Sequence, residues 1–260
     1  MTTRSLIAAL GLALAGLLLF SNTPSVAAPL DLQKKREAPA AQEQVSEADQ
    51  AVIDAQLPSY PLDTCVVGGE GLDSMGGAKN VVVEGRLVRV CCKGCIRAVK
   101  KDPAKFIATV DAAVIEAQKA SYPLEVCAVA GSNLAKAKAP VDVVIGTRLV
   151  RVCCGNCAKK VKANPEPFLA KVDAALIEAQ LETYPLEACL VSNEPLDAMG
   201  APQDFLYGTR LVRTCCAGCK RGFMRNPAEM LAKLDEAQAA AKAARKKAEK
   251  VKAGKKERKG

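Results

Sequence analysis

The chain reads as an α+β protein built from three tandem small units, each a knuckle, a β-hairpin and helices around a four-cysteine cluster. Three observations predict this. All twelve cysteines fall in three groups, Cys65, Cys91, Cys92 and Cys95, then Cys127, Cys153, Cys154 and Cys157, then Cys189, Cys215, Cys216 and Cys219, each spaced C-x25-C-C-x2-C and each starting 62 residues after the last. Within every period, two β-rich runs flank a Gly-containing turn. After each group the pattern turns helical, announced by Asp or Asn before a proline. A fixed internal period has to be read first, because it decides the architecture.

The elements follow in chain order. Arg4 and the apolar run Leu6 to Phe20, followed by Ser25-Val26-Ala27-Ala28, predict a signal peptide over residues 1–28. The run is shorter than the roughly 20 residues of a membrane span, a retained anchor being the alternative. Residues 29–45, rich in Ala, Gln, Lys, Glu and Pro without apolar periodicity, predict a flexible linker. A helix from about Ser46 to Gln56 leads the first unit (46–118), which is followed by the second (119–180), the third (181–238) and a basic Ala/Lys tail (239–260).

Each unit opens with Tyr-Pro-Leu, at Tyr60, Tyr122 and Tyr184, and its first cysteine lies three residues after the Leu. Gly69, Gly131 or Asn193 follows that cysteine by four residues. These residue types accept a left-handed backbone cheaply, so a tight knuckle is expected there. The β-rich runs come next, with turns at Glu84-Gly85, Gly146-Thr147 and Gly208-Thr209, and each turn leads into Arg-Leu-Val-Arg and the cysteine pair. Helices start at Asp102-Pro103, Asn164-Pro165 and Asn226-Pro227. Phe106, Ile107, Val110, Val114 and Ile115 make one apolar stripe on the first of them, and Phe168, Leu169, Val172, Leu176 and Ile177 on the second.

Composition excludes several functions. The chain has no His, the commonest general base, and no Trp, and aromatics are 3%. The net charge of +9 is concentrated: Lys242 to Gly260 holds ten Lys or Arg against Glu249 and Glu257, a net of +8, and Arg4 adds one more. The repeats are thus near neutral and carry no basic face for specific nucleic acid. Contact with anionic envelope polymers is expected only through the tail, and would weaken steeply with salt.

The chemistry therefore rests on the cysteines. Placed in the first turn of a helix, Cys91, Cys92 and Cys95 fall at about 0°, 100° and 40° and face one point, with Cys65 on the knuckle as a fourth sulfur. All-sulfur ligation selects Zn(II), Cu(I) or heavier soft ions. Four sulfurs suit zinc, whereas two or three suit Cu(I) with a cysteine left for hand-over. Export favours a second reading, a disulfide-stapled scaffold or interaction protein, since units this small need a staple. A third is a thiol–disulfide oxidoreductase, because Cys92 to Cys95 is a Cys-x-x-Cys pair, although no βαβ pattern surrounds it. Arg89, Arg151 and Arg213 are candidates to offset thiolate charge, or else they lie on a solvated strand face. Tyr60, Tyr122 and Tyr184 are expected in the core. Met75 and Met199 match in position but Ala137 replaces them in the second unit, so a thioether is not a general ligand.

The stretch Arg86 to Phe106, RLVRVCCKGCIRAVKKDPAKF, resembles the end of a YHS or TRASH-type metal-binding domain. Cys65, Cys127 and Cys189 match that family's first cysteine. Cys91 and Cys95, Cys153 and Cys157, and Cys215 and Cys219 match its Cys-x-x-x-Cys pair. Asp102-Pro103 with Phe106, and Asn164-Pro165 with Phe168, match its closing element. Val90, Val152 and Thr214 stand where the family carries an aromatic, and Cys92, Cys154 and Cys216 are additional. The resemblance covers about 45 residues of each unit and implies a small treble-clef-like fold and a role in heavy-metal sensing, trafficking or resistance. Together these readings predict an exported, non-enzymatic soft-metal-binding protein with three sites, periplasmic or extracellular, with no membrane span after signal cleavage.

Overall fold

Ser46 starts the first described helix as the sequence predicts, its hydroxyl accepting the Asp49 N–H at 3.1 Å. The computed structural model describes residues 45–257, with side chains as far as Lys247. The expected signal peptide and all but the last residue of the linker lie outside the described residues. No helix among the described residues is long and apolar enough to cross a membrane.

Among the described residues, seven α-helices and three two-stranded antiparallel hairpins follow one another in three tandem units. Helix α1 (Glu47–Gln56) precedes the hairpin β1 (Lys79–Val83) and β2 (Arg86–Val90), the short helix α2 (Lys93–Lys101) and the long helix α3 (Pro103–Lys119). The second unit repeats this with β3 (Val141–Ile145), β4 (Arg148–Val152), α4 (Gly155–Ala163) and α5 (Glu166–Leu181). The third has β5 (Gln203–Tyr207), β6 (Arg210–Thr214), α6 (Ala217–Arg225) and α7 (Pro227–Glu257). Helix α7 runs unbroken from the third unit into the basic tail.

The second strands bury consecutive residues rather than alternate ones: Leu87 and Val88, Leu149 and Val150, and Leu211 and Val212 are all at most 1% exposed. The reason is that each hairpin is covered on both faces. Val150 and Val152 face the second unit's own cysteine core. Leu149 faces Val110 and Val114 of α3, which comes from the unit before. Helix α3 also sends Phe106 into the first unit's core, so one helix serves two units. The units are therefore packed neighbours, coupled as in a repeat array.

Side chains lock this packing at the outer edge of each second strand. Gln56 donates to Gly85 O at 2.8 Å and accepts the Leu87 N–H at 2.9 Å, and Tyr60 Oη accepts the Arg89 N–H at 3.0 Å. Gln118 with Tyr122, and Gln180 with Tyr184, make the same bonds one and two periods on. An exposed strand edge leaves amides unpaired, and here a glutamine and a tyrosine four residues apart satisfy alternate ones. Arg86 pairs with Asp111, Arg148 with Asp173 and Arg210 with Asp235, tying each hairpin to the helix that follows it.

The turn tips of the later units reach back to the first. Thr147 Oγ1 donates to Gln56 O at 2.8 Å and accepts from Ser59 Oγ at 2.6 Å. A Cβ on Gly208 would stand 2.5 Å from Pro58 O, and Gly208 has φ +65°, so this position needs glycine for space as well as for backbone.

Candidate metal centre

Each site begins at the knuckle. Cys65 N–H donates to Glu70 O at 2.7 Å and Gly69 N–H donates back to Cys65 O at 2.8 Å, closing a tight loop through Gly69 at φ +75°. The same pair of bonds recurs at Cys127 and Cys189, where Gly131 and Asn193 take φ +67° and +60°. Leu72, Leu134 and Leu196 are buried in the same clusters as Cys65, Cys127 and Cys189. The knuckle thereby holds Cys65, Cys127 and Cys189 with exposures of only 1–2%.

The remaining sulfurs come from the elbow between hairpin and short helix. In each unit three sulfurs all lie within 4.8 Å of one another: Cys65, Cys91 and Cys95; Cys127, Cys153 and Cys157; Cys189, Cys215 and Cys219. The expectation that the paired cysteines sit inside the first helical turn is corrected. Strand β2 ends at Val90, and Cys92 is the extended N-cap of α2 with φ −150° and ψ 166°, as are Cys154 and Cys216 for α4 and α6. The first cysteine of each pair follows the strand directly and joins the sulfur cluster, with Cys91 and Cys215 4% exposed and Cys153 half-buried. The second sits at the cap, half-buried in Cys92 and Cys216 and exposed in Cys154. Cys92, Cys154 and Cys216 thus lie beside the threefold cluster: the Cys92 sulfur is 3.4 Å from that of Cys95, and Cys154 is exposed.

Distance identifies the chemistry the cluster suits. Cys91 and Cys95 sulfurs are 3.9 Å apart, Cys153 and Cys157 3.8 Å, and Cys215 and Cys219 3.7 Å. Two thiolates sharing one ion at a metal–sulfur bond of about 2.3 Å are separated by about 3.8 Å in tetrahedral geometry. A disulfide would need about 2.05 Å. All twelve cysteines are free thiols.

The protonation pattern is uneven in a way that also suits a cation. Burial pushes the Cys65 thiol up, but N–H groups of Gly68, Cys91 and Val67 outweigh it and bring the group down to about 7. Cys189 is likewise opposed by burial, and the Ser192 hydroxyl with nearby amides brings it to about 6; Cys127 is lowered by the same kind of amide cradle. Burial and neighbouring sulfurs push Cys95, Cys157 and Cys219 up to about 12. Cys92, Cys154 and Cys216 are lowered first by the amide of the cysteine three residues on, at the helix N-terminus. In the first and third sites a buried thiol lowered to about 7 or about 6 thus stands beside one pushed up to about 12, and a soft cation would displace the protons that remain.

The arginines ahead of the cysteines belong to the scaffold. Arg89 lies 5.8 Å from the Tyr60 ring centre and donates to Asn80, and Arg151 and Arg213 sit over Tyr122 and Tyr184 while donating to Asp142 and Asp204. Met75 and Met199 are 64% and 73% exposed. The residues that sequence reading missed are Gln56, Gln118 and Gln180; their only signal is recurrence four residues before each Tyr-Pro-Leu.

No family model, no curated protein and no solved structure matches the chain. The likeness to YHS and TRASH domains accordingly rests on the motif residues alone.

Proposed function

We propose that the chain is an exported, non-enzymatic protein that binds and carries a soft metal ion, Cu(I) in preference to Zn(II), at three equivalent sites. The observation that carries this reading is the trio of sulfurs within 4.8 Å in every unit, with pair separations of 3.7–3.9 Å. Three inner sulfurs with a fourth set aside fit the low coordination of Cu(I) better than a closed tetrahedron. The ion is cargo rather than a staple. Each hairpin is already held by a glutamine, a tyrosine and an Arg–Asp pair that owe nothing to the cysteines. The Leu6–Phe20 run supports export to the periplasm or outside the cell, and the all-thiol, histidine-free composition supports a binding role over catalysis.

Native mass spectrometry of the reduced chain beginning at Pro29, titrated with Cu(I) without oxygen, tests the reading. Three ions per chain are expected, and none after alkylation of the thiols. A fully reduced protein that takes up no ion would overturn it.

A further inference from the structure

We infer that Cys92, Cys154 and Cys216 are the entry ligands of their sites, receiving Cu(I) from a small anionic thiol complex and passing it to the three inner sulfurs. This rests on the metal-carrying reading above and says how the same sites are filled.

Two independent features point to it. The first is position. Cys65, Cys127 and Cys189 are sealed at 1–2% exposure, so an incoming complex cannot reach them directly. Cys92 and Cys216 are half-buried and Cys154 is exposed, each on a helix N-cap, while Cys95, Cys153 and Cys219 of the inner set are half-buried too. Cys92 touches the inner set through Cys95, 3.4 Å away, which is closer than Cys95 stands to Cys91. An ion held between Cys92 and Cys95 therefore needs only to exchange one sulfur for another to move inward.

The second feature is charge. The three short helices that the outer cysteines cap read KGCIRAVKK, GNCAKKVKA and AGCKRGFMR, with basic residues and no acidic one. Arg97, Lys159 and Arg221 occupy the same exposed position in each. The repeat region as a whole is near neutral, so outside these helices acids outnumber bases and the positive charge is gathered beside the thiols. Such a field raises the local concentration of an anion, and a bis-thiolate Cu(I) complex of a carboxylate-bearing thiol such as glutathione is one.

The transfer balances without electron movement. The Cys92 sulfur bonds to the ion as one carrier sulfur departs. Cys95 then gives up its proton and displaces the second carrier sulfur. Cys91 and Cys65 bond in turn and the Cys92 bond breaks. The departing carrier thiolates take up protons released by the protein's thiols. Copper is Cu(I) throughout and ends with three sulfur bonds where it arrived with two.

The test is stopped-flow uptake from the Cu(I)–glutathione complex, followed by thiolate-to-copper absorbance, with stoichiometry read by native mass spectrometry. The full chain from Pro29 is compared with its C92S/C154S/C216S and C91S/C153S/C215S variants. The outer variant should still hold three ions but fill at least about tenfold more slowly, a barrier increase of about 1.4 kcal/mol. Wild-type uptake should also slow as salt is raised, because the charge of the basic helices is then screened. The inner variant should hold fewer ions. The inference is overturned if the outer variant fills within about twofold of the wild-type rate, or if it loses ions, which would make the outer cysteine a resident ligand. Uptake of no ion by the wild type would instead sink the metal-carrying reading itself.

Discussion

The first and third units share one plan but end differently, and the difference shows how the array is stabilised. The first unit is followed by another hairpin, and α3 turns Val110 and Val114 toward it. The third is followed only by the continuation of α7 into the basic tail. The α7 position equivalent to Val114 is Gln238, and where Gln118 and Tyr122 would recur the chain has Lys242 and Lys246. The lost neighbour is offset from within. Val81, Val83 and Val99 of the first unit become Phe205, Tyr207 and Phe223, with Phe223 edge-on to Phe205 at 5.5 Å and to Tyr207 at 5.2 Å. A repeat with no following hairpin to pack on builds a larger core of its own.

The largest expected effect breaks that compensation. Phe223→Ala removes a side chain with no measurable exposure and both edge contacts, and should cost about 3–5 kcal/mol. Val99→Ala, equally buried in the first unit, should cost about 2 kcal/mol. Urea midpoints of the reduced, metal-free protein compare the two. Equal losses would mean the aromatic core adds nothing particular to the end of the array.

The turns sharpen the same contrast. Gly85 has φ +69° and open space around its α-carbon, so Gly85→Ala should cost about 1–2 kcal/mol from the backbone alone. Gly208→Ala adds a methyl 2.5 Å from Pro58 O and should cost about 3 kcal/mol in total, because two backbones must separate. Thermal melts that put the two variants level would remove the contact between the third turn and the segment after α1.

Much of this was legible in the sequence because it is local or periodic. Ser46 and Asp102 cap helices where a capping residue meets an apolar stripe, and Gly69, Gly131 and Asn193 bend where a left-handed residue follows a cysteine. The grouping of the cysteines was legible from spacing kept three times. The inner and outer ranks were not, since they depend on whether the helix starts at Cys91 or at Lys93, and the 100° step says nothing about where a strand ends. Gln56 was illegible for another reason: in an Ala-rich helix it looks like an ordinary solvent-facing residue, and its partner Leu87 lies 31 positions downstream. Arg89 stayed open between two readings because Asn80 is brought to it only by the register of the hairpin, and the Tyr60 ring lies 29 positions upstream.

The sites differ too, and pH exposes the difference. In the metal-free protein Cys189 falls from an ordinary 9.0 to about 6, so between pH 6 and 9 the unfolded chain holds a proton that the folded one has released, and stability rises with pH. Cys65, at about 7, adds its own rise only between 7 and 9. Cys95, Cys157 and Cys219, at about 12, act in the opposite sense: the folded state keeps protons that the unfolded chain loses above 9, so stability declines from 9 toward 12. The reduced, metal-free protein should therefore be most stable near pH 9. Urea midpoints measured from pH 6 to 11 check this, and a flat profile would mean the knuckle amides do not hold a thiolate.

The smallest effect isolates one hydroxyl. Burial opposes the Cys189 thiolate, and the strongest group against that opposition is Ser192, where the first unit has Gly68 and the second Ala130. Ser192 Oγ accepts the Glu194 N–H at 3.4 Å, which leaves its own proton for sulfur, and it lies 3.5 Å from the Cys215 sulfur. Ser192→Ala should raise Cys189 from about 6 toward the value of about 7 that Cys65 has without such a hydroxyl. The reciprocal change, Gly68→Ser, has room, since the nearest atom to a new Cβ is Glu70 Cγ at 3.9 Å, and it should lower Cys65 in turn. Ultraviolet titration of thiolate absorbance in the metal-free variants reads both shifts. If the two substitutions move their thiols in opposite directions, the hydroxyl sets the order in which first and third sites shed their protons as pH rises; if neither moves, the backbone amides alone set it, and the two knuckles are equivalent after all.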